Sequence, residues 1–196
     1  MRLTEIPDPW DAFAAWYGEG ERHEPDVPNA MQVATVDADG KPSVRTVLLK
    51  GYDRDGLVFY TNLNSRKSSA IRANPNVALT MHHKSLERQI HVEGVAQPVT
   101  DEEADAYFAS RPRGSQLGAW ASAQGAPMGD RSLLDAALAE VAARYEGRDV
   151  PRPSHWSGWR VVPSVFEFWQ GRADRLHDRV CYLREAKAWR QVLLQP

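Results

Sequence analysis

From Ala30 onward the apolar residues fall in short runs that end in Asp/Gly turns, and this punctuation constrains the fold more than anything else in the chain. Met31–Val36 is followed by Asp37-Ala38-Asp39-Gly40, Ser43–Lys50 leads to Asp53-Arg54-Asp55-Gly56, and Leu57–Thr61 comes next. Val77–His82, Arg88–Ala96, Trp159–Val162, Val165–Trp169, Arg179–Arg184 and Trp189–Leu194 are further strand candidates. Strands joined by such turns form antiparallel hairpins. No strand–helix–strand alternation is present, which excludes a doubly wound sheet. The expected class is mainly β with inserted helices (α+β).

Helices are expected at Ser65–Ala73, ended by Asn74-Pro75, and from Asp101 to Ser110, where Thr100-Asp101-Glu102-Glu103 has capping-box form. Ser115–Ala123 is a further candidate. Ser132–Tyr145 is the clearest helix, in which Leu133, Leu134, Ala137, Leu138, Val141 and Ala142 make an apolar stripe. Residues 1–28 read as a lead-in with one short helix, its inner face Trp10, Phe13, Ala14 and Tyr17, stopped by Gly18 and Gly20. Residues 29–196 read as a single domain.

A chain of 196 residues can bury a full core without staples. A net charge of -2 gives no bulk electrostatic grip on nucleic acid or acidic membrane. Cys181 is the only cysteine, which excludes an intrachain disulfide and a Cys-rich zinc site. No apolar stretch approaches the roughly 18 residues of a membrane span. With no signal-peptide pattern at Met1–Trp10, the expected compartment is the cytoplasm. Neither G-x-G-x-x-G nor a P-loop occurs.

Four clusters could carry chemistry. In Arg175-Leu176-His177-Asp178-Arg179, read as an extended strand, Arg175, His177 and Arg179 share one face. That face is either a solvated edge or an anion-facing surface beside Phe166, Phe168 and Trp169. Asn64-Ser65-Arg66-Lys67 puts two cations at a helix start, where free N–H groups suit phosphate, or is an ordinary capped, solvated helix end. Arg45 and Lys50 bracket an apolar strand and face opposite sides by simple alternation. Tyr107 and Arg111 share a helix face, with Ser115 beyond the Pro112 break. His82-His83 lacks a third ligand nearby and is a poor metal pair. Trp120, Trp156, Trp159 and Trp189 read as core or interface.

Taken together, the chain resembles the pyridoxine/pyridoxamine 5′-phosphate oxidase family. The matching stretches are Asn29-Ala30-Met31, Arg45–Lys50, Val58–Asn62, Ser65-Arg66-Lys67, Leu86–Gln89, Ser110–Gln116, Gly118-Ala119-Trp120, Phe168–Gly171 and Arg175–Arg179, in family order. The resemblance implies an antiparallel, Greek-key type split β-barrel and a homodimer with FMN at the subunit interface. It implies FMN contacts at Arg45, Thr46, Val47, Leu48, Leu49, Lys50, Tyr60, Thr61, Arg66, Lys67, Gln89, Gln124, Gly125, Trp169 and Arg179. Substrate contacts are implied at Lys50, Tyr107, Arg111, Ser115, Arg175 and His177, the last two handling position and protons at the reacting carbon. The implied reaction oxidises pyridoxamine or pyridoxine 5′-phosphate to pyridoxal 5′-phosphate, moving a hydride from C4′ to flavin N5 and passing the electrons to dioxygen, which leaves as hydrogen peroxide. A relative acting on another ring, as in phenazine biosynthesis, and a flavin binder without turnover are the alternatives.

Three departures stand out. The family's longer N-terminal arm, with Arg-Arg-x-Tyr, is matched only at its end, by Arg2-Leu3 and Asp8-Pro9. Gln124-Gly125 stands where Gln-Ser is usual, and Leu193-Leu194-Gln195-Pro196 where Arg-Leu-Ala-Pro is usual.

Overall fold

The computed structural model describes residues 3–186 and 188–196, so Arg2 of the arm match lies outside the described residues. Helix α1 spans Pro9–His23. Asp8 caps it, its carboxylate accepting from the Trp10 N–H at 2.8 Å, and Pro9 opens it where no N–H is needed. The expected stop at Gly18 and Gly20 is corrected: the helix runs through both. Gly20 is there for packing, since a Cβ on it would lie 2.3 Å from Cε1 of the His83 ring. Ala12, Phe13, Trp16 and Tyr17 are buried beside Trp10, while Ala14, expected on the inner face, is exposed.

Nine strands follow: β1 (Ala30–Val36), β2 (Pro42–Leu48), β3 (Gly51–Asp53), β4 (Gly56–Asn62), β5 (Asn76–His83), β6 (Arg88–Pro98), β7 (Trp156–Gln170), β8 (Asp178–Glu185) and β9 (Ala188–Leu193). Between them lie α2 (Arg66–Ala73), α3 (Asp101–Ser110), α4 (Arg113–Ala121) and α5 (Arg131–Arg144). All pairings among the described residues are antiparallel, in the order β2-β1-β5-β6-β7-β4-β3, with β8 added on β7 and β9 on β8. The sheet curls around a core that includes Met31, Phe59, Leu79, Ile90, Phe166, Phe168 and the inner face of α1. No helix among the described residues is long and apolar enough to cross a membrane.

The strands expected at 159–162 and 165–169 are one strand, β7. Its first half pairs with β4 and its second half with β8, while β6 runs along the other side. Ser164 is left over where Glu93 faces Val165 and Gly94 faces Pro163. This bulge shifts the inward side chains from Trp159 and Val161 to Phe166 and Phe168, and it accommodates a proline that cannot donate to the ladder.

The stripe on α5 does not face the core. Val141 is buried, but Leu133 and Leu138 are 60% and 40% exposed, because α5 packs beside α4 rather than on the sheet.

Candidate active site

A cavity of about 660 Å³ opens between the sheet and the α3–α4 layer. Thr46, Val47 and Leu48 of β2, Tyr60, Thr61 and Asn62 of β4, and Lys50 between β2 and β3 line one side. Tyr107, Arg111, Ser115, Ser122 and Gln124 line the other.

The first cationic end is built at α2. Ser65 is the residue before the helix, but its side chain makes no cap; its Oγ instead accepts from Lys67 Nζ at 3.1 Å. Lys67 Nζ also donates to Thr61 Oγ1 at 2.8 Å, and the side chain is buried. Burial lowers the Lys67 ammonium from its ordinary value and the nearby Arg45 pushes it further; burial and then Arg66 do the same to Arg45. Arg45 itself donates to Val33 O, Thr35 Oγ1 and Ser43 Oγ. Among the described residues no carboxylate pairs with Arg45, Arg66 or Lys67. Lys67 is buried and Arg45 half-buried without counter-charge, which costs stability in the absence of an anion, while Arg66 beside Arg45 is exposed. That donor set fits a phosphate.

The second cationic end is built at the α3–α4 junction. Thr100 and Glu103 form the expected capping box at the start of α3. At its end Gln116 donates to the Phe108 and Ala109 carbonyls, and Arg111 turns extended ahead of Pro112. The Arg111 guanidinium sits over the Trp156 ring, 4.6 Å from its centroid, and one buried terminal nitrogen has no hydrogen-bond partner. Burial lowers its pKa from the ordinary arginine value. With Lys50, Tyr107 and Ser115 on the same cavity wall, this is a second donor set that fits an anion.

Between the two ends stands a wall of nearly parallel rings. Tyr60 and Tyr107 lie 4.1 Å apart at 10°, and Tyr60 and Trp156 lie 5.4 Å apart at 2°. Tyr60 can lie flat because its strand partner is Gly158, where a Cβ would sit 2.7 Å from Tyr60 Cδ1.

Not every residue expected at the site lines this cavity. Leu49 is in the core, with its backbone tied to Asn29. Lys50 lies past the end of β2, so the turn into β3 aims it, not strand alternation. Arg66 and Gly125 line a neighbouring hollow of about 440 Å³ that shares Asn62, Ser122 and Gln124 with the main cavity. Gly125 has φ 88° in the turn closed by Ala126 N–H on Ala123 O, a conformation a serine there adopts only with strain.

Gln89, Trp169, Arg175, His177 and Arg179 are elsewhere. Gln89 faces Trp169 across the β6–β7 ladder, and Trp169 packs on His177 with centroids 4.6 Å apart. His177 and Arg179 line a separate cavity of about 420 Å³. The single-strand reading of 175–179 is corrected. Asp174 and Arg175 have φ 56° and 60° in a 3-10 turn, and His177 Nδ1 accepts from the Arg172 N–H. Arg179 alone of the three is in β8, held by Glu167 at 2.7 Å and donating to the Gln195 carbonyl. The three do not share one strand face.

Asn62, Ser122 and Trp156 are lining residues that the sequence reading passed over. For Trp156 the available signal was its two-residue spacing from Gly158, the partner of Tyr60. His82 and His83 do not form a metal pair: His82 is exposed and His83 is buried against Gly20. Among the described residues no metal-binding group of three side chains exists.

Residues 22–145 match the family model described as "Pyridoxamine 5'-phosphate oxidase", and residues 156–196 the one described as "Pyridoxine 5'-phosphate oxidase C-terminal dimerisation region". The pyridoxine/pyridoxamine 5'-phosphate oxidase of Rubrobacter xylanophilus is 57% identical over 97% of this chain and 88% of its own length. That of Sphingopyxis alaskensis is 53% identical over 100% and 91%. Among solved structures, PhzG from Burkholderia lata 383, in complex with tetrahydrophenazine-1-carboxylic acid, is 29% identical with TM-score 0.91, covering 98% of this chain and 94% of that one. A pyridoxamine 5'-phosphate oxidase-related, FMN binding protein from Nostoc punctiforme shares the fold at 17% identity, TM-score 0.76, covering 96% and 98%.

Proposed function

The chain belongs to the pyridoxine/pyridoxamine 5′-phosphate oxidase family, and from that premise we propose that it is an FMN-dependent oxidase converting pyridoxamine and/or pyridoxine 5′-phosphate to pyridoxal 5′-phosphate, with dioxygen reduced to hydrogen peroxide. The observation that carries this reading is one cavity with two uncompensated cationic ends. Lys67, with Arg45 and Arg66 beside it, suits the phosphate of FMN, and Lys50 with Arg111 suits the phosphate of the substrate.

When bound, FMN supplies the two-electron acceptor that couples oxidation at C4′ to reduction of dioxygen. The protein's part is placement. Lys67, Thr61 and Gln124 would hold the flavin end, and Lys50, Tyr107, Arg111 and Ser115 would hold the substrate phosphate and so orient the substrate in the same cavity. The Tyr60, Tyr107 and Trp156 rings exclude water from one flank.

Gln89, Trp169, Arg175, His177 and Arg179 complete the cavity of a second copy in a homodimer. The match of residues 156–196 to a dimerisation region supports this, as does their position away from the chain's own main cavity. Arg175 and His177 then meet the reacting end of the substrate, positioning it and handling its proton.

The test is aerobic turnover of the FMN-loaded protein with pyridoxamine or pyridoxine 5′-phosphate. Equal amounts of aldehyde and peroxide are expected. Binding without turnover would leave a flavin carrier. Turnover only of tetrahydrophenazine acids would favour the activity suggested by the likeness to PhzG.

A further inference from the structure

Among the described residues, most partly buried arginines are satisfied by carboxylates. Arg152 pairs with Asp101 and Asp105, Arg160 with Asp53 and Glu103, Arg179 with Glu167, and Arg88 with Glu19. Arg111 has no such partner among the described residues. What it has is aromatic carbon: the Trp156 ring at 4.6 Å and the Phe108 ring at 5.5 Å from the guanidinium carbon. Resting on the reading that a phosphorylated substrate enters here, we propose that Trp156 is a positioning residue that holds Arg111 as an anion receptor without neutralising it.

The physical reason is a choice between two kinds of support. A carboxylate would fix Arg111, but it would occupy the N–H groups the ligand needs and cancel the charge that attracts it. An aromatic face attracts the cation through the ring quadrupole and leaves the N–H edge free. One terminal nitrogen is covered by protein and unpartnered; the rest of the guanidinium, which makes no ion pair among the described residues, is what can meet a ligand where Arg111 lines the cavity.

Trp156 is itself immobilised, as such a support must be. Tyr60 lies parallel to it, Phe108 meets it edge-on with centroids 5.1 Å apart, and its place in β7 is fixed opposite Asn62 of β4. Arg152 donates to its carbonyl at 2.9 Å. Rigid aromatic support keeps the fork of Arg111 in one plane before the ligand arrives, which lowers the ordering cost of binding.

The test uses the FMN-loaded enzyme with W156L, W156F, R111A and the double variant W156L/R111A. For W156L the KM for pyridoxamine 5′-phosphate and the inhibition constant of inorganic phosphate are both expected to rise about tenfold (~1.4 kcal/mol). The loss should lie in KM rather than kcat, and FMN affinity should fall less than substrate affinity. W156F, which keeps an aromatic face, should recover most of the loss. In the R111A background, removing Trp156 should add little, because its effect passes through Arg111. Unchanged KM and phosphate inhibition in W156L would overturn the proposal. So would additive losses in the double variant, or a joint fall of FMN affinity and kcat that W156F does not rescue. Should W156L not fold, W156F alone and with R111A decides, with a smaller rise that again vanishes in the R111A background. If wild-type turnover does not require the substrate's phosphate, it is the assignment of the phosphorylated substrate that fails.

Discussion

Lys67 Nζ lies 2.8 Å from Thr61 Oγ1 in a buried pocket where no carboxylate balances its charge among the described residues. A buried ammonium satisfied only by hydroxyls is poised for an anion. Replacing Lys67 with Ala should weaken FMN binding by about tenfold to a hundredfold, the worth of a charge-assisted hydrogen bond of roughly 1.5–3 kcal/mol. Turnover at saturating FMN should fall less. Lys67→Met should cost FMN affinity equally while leaving the FMN-free protein as stable or more so, since a buried unpaired charge is exchanged for apolar packing. Flavin fluorescence titration and thermal unfolding of the FMN-free protein check both halves.

Gly158→Ala should tilt Tyr60 out of the ring wall. The added Cβ would lie 2.7 Å from Tyr60 Cδ1 and 3.0 Å from the Phe59 carbonyl, which is backbone and gives little. A stability loss of about 1–3 kcal/mol is expected from overpacking of this kind. Urea unfolding measures it, and flavin affinity should drop with it.

His83 should contribute to the loss of stability on the acid side. Its Nε2 is 3.3 Å from the Pro28 carbonyl and its buried Nδ1 has no partner, so the neutral ring with Nε2–H suits the site. Burial lowers its pKa from the ordinary value of 6.5, only partly opposed by Pro28 and Glu24; His82 and Arg88 add to the lowering. The unfolded chain therefore binds the extra proton first. The stabilisation is full above about pH 6.5 and is lost as pH falls through the folded value below it. Urea midpoints should decline over that window in wild type. In His83→Gln the limb attributable to this group should be absent.

If the site is shared between subunits, Lys50→Ala and His177→Ala should each be poorly active as pure dimers. Mixed after subunit exchange they should regain about a quarter of wild-type activity, since about half of the dimers would be mixed and each would hold one intact site. No regain on mixing would place His177 and Lys50 in the same chain's site or outside it.

The β1–β2 hairpin was legible in the sequence because alternation and turn residues are local signals. So was the capping box at Thr100. The 175–179 segment was misread because its turn uses positive φ at Asp174 and Arg175, with no glycine to announce it. Helix α1 was read short because Gly20 marks contact with His83, a residue distant in sequence. The stripe on α5 is a true helical period, but periodicity does not say what lies opposite, and Leu133 and Leu138 face solvent in the single chain. Gathering Lys50, Tyr107, Arg111 and Ser115 needed the resemblance as well as the local patterns. Trp156 is core, as read, but its contacts with Tyr60 and Arg111 at the cavity are long-range and had no local signal.

The most direct measurement is anaerobic mixing of the FMN-loaded protein with pyridoxamine 5′-phosphate, following the yellow flavin absorbance and the aldehyde together. The account predicts complete loss of the flavin colour with one aldehyde formed per flavin, and return of the colour with peroxide when air is admitted. Flavin that stays oxidised while pyridoxamine 5′-phosphate demonstrably binds would contradict it.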